Sequence, residues 1–194
     1  MLKEVEDLVN QLSKFPSVGQ KTALRYALAI LDMDDSEVEE MANVLVNTKK
    51  TIKFCSVCGC MTTKTPCDIC LDKQRDHSVI CVVSYPSDVF VIEKLGVFNG
   101  VYHVLGGLIS PLRHVLVEDL SIEQLNNRVD STIKEVILAF QHSIEGETTS
   151  LYLSKLLKDR CKVTRLAQGL PMGSKIEYAD DMTLTRSLLN RTSV

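Results

Sequence analysis

"VICVVSYPSDVFVIEKLG", Val79 to Gly96, sets a strand pattern against a helix pattern across a single proline, and the fold class turns on it. Val79 to Tyr85 is rich in apolar and β-branched residues and has the length of a buried strand. Pro86 ends it and suits the first turn of a helix, where proline's missing N–H costs nothing. The next residues read as a helix to Leu95, and Gly96 is placed to stop it. The alternation then recurs. "VYHV" (101–104), "EVILAF" (135–140) and "CKVTRLA" (161–167) read as further strands. Ser121 with Gln124 is a capping-box pattern opening a helix over 121–129. Glu147 to Arg160 reads as another helix, with Leu151, Leu156 and Leu157 available for burial. Strands that are apolar almost throughout, alternating with helices, predict a mostly parallel sheet covered on both faces.

The chain has 194 residues, 45% of them apolar and 24% charged, with a formal net charge of −3. That is room for one medium domain with small attachments. No apolar run approaches the ~20 residues of a bilayer span. "MLKEVEDLVNQL" carries acids where a secretory signal would be basic and then apolar. These features predict no membrane association and a cytoplasmic setting. Disulfides are disfavoured there, so the seven cysteines need another reason.

Five of those seven lie in "CSVCGCMTTKTPCDIC", Cys55 to Cys70. Cys55, Cys58, Cys67 and Cys70 form two C-x2-C pairs separated by eight residues. Each pair can present two thiolates to one ion, which is a structural zinc pattern with one ion per chain. Four thiolates leave no open position for water, so the predicted role is folding rather than catalysis. Gly59 suits the tight turn after the first pair. Cys60 is read as a bystander, and Cys81 and Cys161 as small buried hydrophobes.

Upstream, "LKEVEDLVNQL" and "KTALRYALAIL" have helical apolar spacing, the second predicted to turn residues 24, 27, 28 and 31 inward. Between them "FPSVGQK" (15–21) reads as a hairpin. Pro16 stops the first helix, Val18 plugs the pair, and Gly19 is expected to supply a backbone shape closed to other residues. Such a helix-hairpin-helix element turns backbone N–H groups toward a phosphate, with Lys21 and Arg25 four apart on one face. The usual hairpin reads Pro-Gly-x-Gly, and Ser17 fills the first glycine position.

Ligands on parallel sheets gather beyond the carboxyl ends of the strands, here Ser84 to Asp88 and Gln141 to Glu147. "HVLGGLISPL" (103–112) is neither a Walker A loop nor a dinucleotide fingerprint. His103 is expected to be a packed or hydrogen-bonded loop residue, with a functional base as the alternative reading. The pattern around His142 does not spell a catalytic triad.

Taken in order, these blocks resemble the bacterial recombination mediator family RecR along essentially the whole chain. "FPSVGQKTALRYALAIL", the four cysteines, and "CVVSYPSDVFVIEKLGVFNGVYHVLGGLISPL" match it. So do "IEGETTSLYLSKLL", "KVTRLAQGLPMGSKIEYAD" and "TLTRSLLNR". The resemblance implies a helix-hairpin-helix domain at 1–53, a four-cysteine zinc finger at 54–76 and a Toprim domain at 77–172. A C-terminal segment at 173–194 would contribute to oligomer contacts, with Leu184, Leu188 and Leu189 as its apolar stripe and Gly169, Pro171 and Gly173 fixing the approach. The implied protein is a non-catalytic homodimer or tetrameric ring associated with the nucleoid. It would bind single-stranded and partly duplex DNA, with Lys21 and Arg25 as contacts. With RecO, and in some bacteria RecF, it would help load RecA onto strands coated by single-strand binding protein.

Catalytic Toprim domains hold magnesium with a glutamate after the first strand and an Asp-x-Asp after the third. Here those positions are Ser84, Gln141 and Ser143. Asp88, Glu145 and Glu147 match acids the family retains, and the reading favoured for them is contact with a basic protein partner. The alternatives are a protein-interaction hub with incidental DNA contacts, or a magnesium-dependent nuclease or topoisomerase-like enzyme.

Overall fold

Helices α1 (Lys3–Leu12), α2 (Gln20–Leu31) and α3 (Asp35–Thr51) form the N-terminal part of the chain. The computed structural model describes residues 1–167, 169–170 and 173–191. It divides between Ile52 and Lys53 into two units, each with its own packing.

In the first unit α1 packs on α2 around Val9, Ala23 and Ala27, with Val5, Leu8, Leu12, Val18 and Leu24 against them. Val18 thus plugs the pair as expected. The inward face of α2 differs from the reading by periodicity, for Leu28 and Leu31 are exposed and Ala23 is buried. Small side chains at 23 and 27 let the two backbones approach closely, and that selects the alanine stripe over the leucines. The turn also differs. Gly19 has an ordinary φ of −82°, and Ser17 is the residue with positive φ, at 65°. The hairpin therefore places its left-handed residue at the first glycine position of the usual motif and occupies it with serine. Helix α3 was not anticipated. Its start is set by Glu37, whose carboxylate accepts the Asp34 N–H at 3.1 Å. None of its residues is buried, and Met41, Val44, Leu45 and Val46 face outward.

The second unit begins with a short antiparallel ribbon, β1 (Lys53–Phe54) and β2 (Met61–Thr62), and a one-turn helix α4 (Asp68–Leu71). A parallel sheet follows, built from β3 (Asp76–Val83), β4 (Gly100–Val104), β5 (Glu135–Ala139) and β6 (Lys162–Arg165) in the order β4-β3-β5-β6. Helices α5 (Pro86–Leu95), α6 (Ile122–Arg128) and α7 (Ile144–Leu157) connect the strands, and α8 (Asp181–Leu189) lies beyond the last. This is the α/β architecture the alternation predicted.

Strand β3 is buried on both sides, which is why it reads as an unbroken apolar run. Ile80 and Val82 join Leu125, Leu153 and Leu157 on one face. Cys81 and Val83 join Val89, Tyr102, Val104 and the zinc-site cysteines on the other. Burial pushes the Cys81 thiol up to about 12, as befits an inert core residue. Cys161 is only half-buried.

Three local expectations need correction. Ser121 makes no side-chain cap; its N–H donates to Leu105 O at 2.9 Å and its carbonyl accepts from His103, so tertiary contacts hold it instead. Helix α7 starts at Ile144 rather than Glu147, because Ser143 caps it by accepting the Gly146 N–H at 3.1 Å. The buried face of α7 also differs, with Leu151 exposed and Leu153 buried beside Leu157. Gly96 does end α5 in the left-handed region, at φ 65°. Pro171 lies outside the described residues, and Gly173 takes φ 82°.

Candidate metal centre and nucleic-acid interface

The Sγ atoms of Cys55, Cys58, Cys67 and Cys70 all lie within 4.8 Å of one another. Two turns bring them there. Gly59, at φ 75°, lets its N–H reach Cys55 O at 2.9 Å. Cys67 then opens α4, which carries Cys70, and the Cys67 N–H donates to Cys55 Sγ at 3.3 Å. Four sulfurs this close cannot all ionise without a cation among them. Hydrogen bonds from Cys60 and Cys70 hold the Cys58 thiol low, while Cys60, Cys67 and Cys70 are raised. For Cys67 the largest cause is burial, and its value is about 11. Thiolate donors in a closed four-sulfur set fit zinc and leave no position for a substrate.

The knot is not free-standing. Val104 on β4 donates its N–H to Cys58 O at 2.8 Å, so the knuckle caps the edge strand of the sheet. A Cβ on Gly59 would lie 3.1 Å from Val104 Cβ, and the approach favours glycine there. Just beyond, Arg75 binds Glu93 through both terminal guanidinium nitrogens, at 3.0 and 2.5 Å, and also donates to Gly100 O at 3.1 Å. Tyr102 Oη donates to the same carboxylate at 2.6 Å. The Arg75 side chain holds the Glu93 carboxyl below its ordinary range.

At the carboxyl ends of the strands, Ser84, Asp88 and Gln141 line one depression between β3, α5 and β5. Ser84 is buried, and its carbonyl accepts the Gly106 N–H at 3.0 Å. Asp88 accepts the Tyr85 N–H at 2.9 Å and so steadies the start of α5. Ser143 is the α7 cap. Glu145 stands half-exposed on the first turn of α7. Glu147 is engaged within the chain: Arg165 reaches it at 2.5 Å and Arg186 of α8 at 3.2 Å. Among the described residues these acids do not assemble into a cluster of metal-binding geometry, whereas the cysteines do. His103 is fully buried on β4 rather than in a loop. Its Nδ1 accepts from Arg128 at 3.0 Å, so Nε2 carries the proton and donates to Ser121 O at 2.8 Å. Burial pushes its pKa down to about 4, so it is neutral and structural.

In the first unit, Lys21 and Arg25 are both exposed on α2, one turn apart. No side chain caps the N-terminus of α2 and its first turn holds no acid. Arg25 lies over the Tyr26 ring at 5.7 Å.

Four family models match consecutive parts of the chain: the RecR helix-hairpin-helix at residues 5–49, the RecR four-cysteine zinc finger domain at 52–72, the Toprim domain at 78–167, and the RecR C-terminal region at 169–192. The chain is also 54% identical to "Recombination protein RecR" of Synechocystis sp. over 185 residues, covering 95% of this chain and 80% of that protein. The chain belongs to the RecR family. Membership and the sulfur geometry together make the four-cysteine cluster a structural zinc site, and a role as a recombination mediator follows from the family. Among the described residues no helix is long and apolar enough to cross a membrane.

What the sequence reading missed is how the zinc unit is seated. Glycine after the second cysteine was its one local signal. The Cys58–Val104 bond joins residues far apart in the chain and has none.

Proposed function

We propose that this RecR-family chain is a non-catalytic DNA-binding clamp and adaptor. The observation that carries it is the exposed pair Lys21 and Arg25 beside an α2 N-terminus that bears no side-chain cap and no acid. Partial positive charge from the helix end and two cationic side chains suit a phosphate backbone, whatever the base sequence. With RecO, and RecF where present, the chain would load RecA onto single strands coated by single-strand binding protein. Residues 1–53 supply the DNA contact, 54–76 the zinc finger, 77–172 the Toprim platform and 173–194 an oligomer contact.

Assembly into a dimer or tetrameric ring is supported by apolar side chains left outward, Val44 and Leu45 on α3 and Leu188 and Leu189 on α8. Asp88, Glu145 and Glu147 belong to the acidic surface offered to a basic partner. Glu145 is the most available of them, because Asp88 binds an amide and Glu147 two arginines. Ser84, Gln141 and Ser143 offer no carboxylate for the magnesium chemistry of catalytic Toprim domains.

The test is DNA binding across a salt series, on long single-stranded and partly duplex DNA, with a Lys21→Ala, Arg25→Ala double variant. Each phosphate contact contributes about one unit to the slope of log affinity against log salt, so the variant should lose about two. A variant that keeps zinc and assembly yet binds DNA with the parental slope moves the contact elsewhere. Binding absent in both proteins until a partner is added makes the chain an adaptor first.

A further inference from the structure

We infer that Cys60 is a reserve zinc ligand, held on the metal-facing side of the knuckle and able to take the place of Cys70. The β1–β2 register pairs Lys53 with Thr62 and Phe54 with Met61. Carried one step on, it sets Cys55 opposite Cys60, and the Cys55 N–H donates to Cys60 O at 2.8 Å. Residues opposite one another in an antiparallel pair send their side chains to the same face, with Cβ atoms about 5 Å apart. Cys55 is a ligand, so the face it shares with Cys60 is the face of the metal.

Burial agrees with that register. Phe54 and Met61, on the other face, are 66% and 41% exposed, whereas Cys55 and Cys60 are each 4% exposed. Cys60 sits in the same packed cluster as Cys55, Cys58 and Cys67. Cys70 is the one ligand of the four that is not fully buried.

Cys70 is thus held on the more exposed side of the cluster and Cys60 on the buried one. In the exchange the zinc–sulfur bond of Cys70 breaks and that sulfur takes up a proton. Cys60 releases its own proton to solvent and forms the new zinc–sulfur bond, so the ion keeps four thiolates and its net charge. A knuckle with this fifth thiol tolerates loss of its exposed ligand, which a four-cysteine knuckle does not.

The test uses the full chain and three variants, Cys60→Ser, Cys70→Ser and the double variant. Each is assayed for zinc content, for zinc retention against a chromophoric chelator, and for the absorption of the cobalt-substituted protein. Cys60→Ser should hold one zinc with the parental cobalt spectrum. Cys70→Ser should also hold one, with a four-thiolate spectrum, and retain it at least about a hundredfold more tightly than the double variant, since losing even an outer-shell partner of a ligand costs about 10–100-fold. A three-thiolate spectrum for Cys70→Ser, or a zinc affinity equal to that of the double variant, overturns the assignment. So does an insoluble Cys70→Ser beside a soluble Cys60→Ser, since a reserve ligand would have kept the knuckle folded.

Discussion

The Val104 N–H meets the carbonyl of Cys58 at 2.8 Å, joining the edge of the parallel sheet to the first zinc knuckle. One packed cluster runs across that bond, from Cys55, Cys58 and Cys67 to Val83, Val89 and Tyr102. Metal removal should therefore loosen the sheet as well as the finger. We expect chelation to lower the melting temperature of the second unit by about 10 °C, the shift that a few kcal/mol produces at this size. Amide exchange should accelerate at Val104 while the amides of β5 keep their protection. Unchanged exchange at Val104 in the zinc-free protein would show that the finger folds apart from the sheet.

Ser17, not Gly19, is the strained position of the hairpin. A side chain in the left-handed region costs roughly 1–2 kcal/mol, and glycine returns about half of that as extra freedom when unfolded. Ser17→Gly should then stabilise the first unit by about 0.5 kcal/mol, and Ser17→Val should weaken it by more than about 1 kcal/mol, on the order of the left-handed penalty. Gly19→Ala should be close to neutral, since a Cβ there meets nothing within 4 Å. Denaturant midpoints of the three variants decide it. A large loss in Gly19→Ala alongside a silent Ser17→Gly would reverse the assignment.

His103 makes stability depend on pH. Its folded pKa of about 4 lies below the ordinary value of 6.5, so between these limits the unfolded chain binds the extra proton. Stability contributed by the neutral ring is full above 6.5, falls as pH drops through that window, and levels off below about 4. The total at stake is on the order of 3 kcal/mol. Urea unfolding from about pH 7 to pH 5 should show a steeper loss in the parent than in His103→Gln, where the titrating proton is gone. Parallel curves for the two proteins would mean that His103 titrates alike in both states.

Glu147 ties the C-terminal helix to the Toprim sheet through Arg165 and Arg186. All three side chains are partly exposed, so the cost of cutting the tie is small, about 1 kcal/mol or less. Its local effect should be larger. In Glu147→Gln or Arg186→Ala, limited proteolysis between Gly173 and Asp180 should quicken several-fold with the melting temperature nearly unchanged. Equal cleavage rates in parent and variants would show that α8 is held by other contacts.

Legibility differed by element. The parallel sheet was plain in the apolar run of β3, because burial on two faces removes the polar alternation that would have disguised it. The zinc ligands were plain in their spacing. Helix α3 carries no such signal, because its apolar residues remain outward in a single chain and its first half is rich in acids, which reads as a solvated surface. The Ser121 cap failed for a different reason: the residues fit the motif, but His103 and Leu105 claim the Ser121 backbone and draw it out of the capping geometry.

The α/β class, the four metal-binding cysteines and the basic pair on α2 are written in spacings of a few residues, so the amino-acid order alone is enough to find them. Tertiary contacts alone make the zinc knuckle close the edge of the sheet, put the left-handed turn on Ser17, engage Glu147 with two arginines and bury Cys60 beside Cys55. Those outcomes depend on pairing across β1–β2 and on contacts between distant segments. Backbone register and packing choose among side chains that local periodicity leaves equivalent.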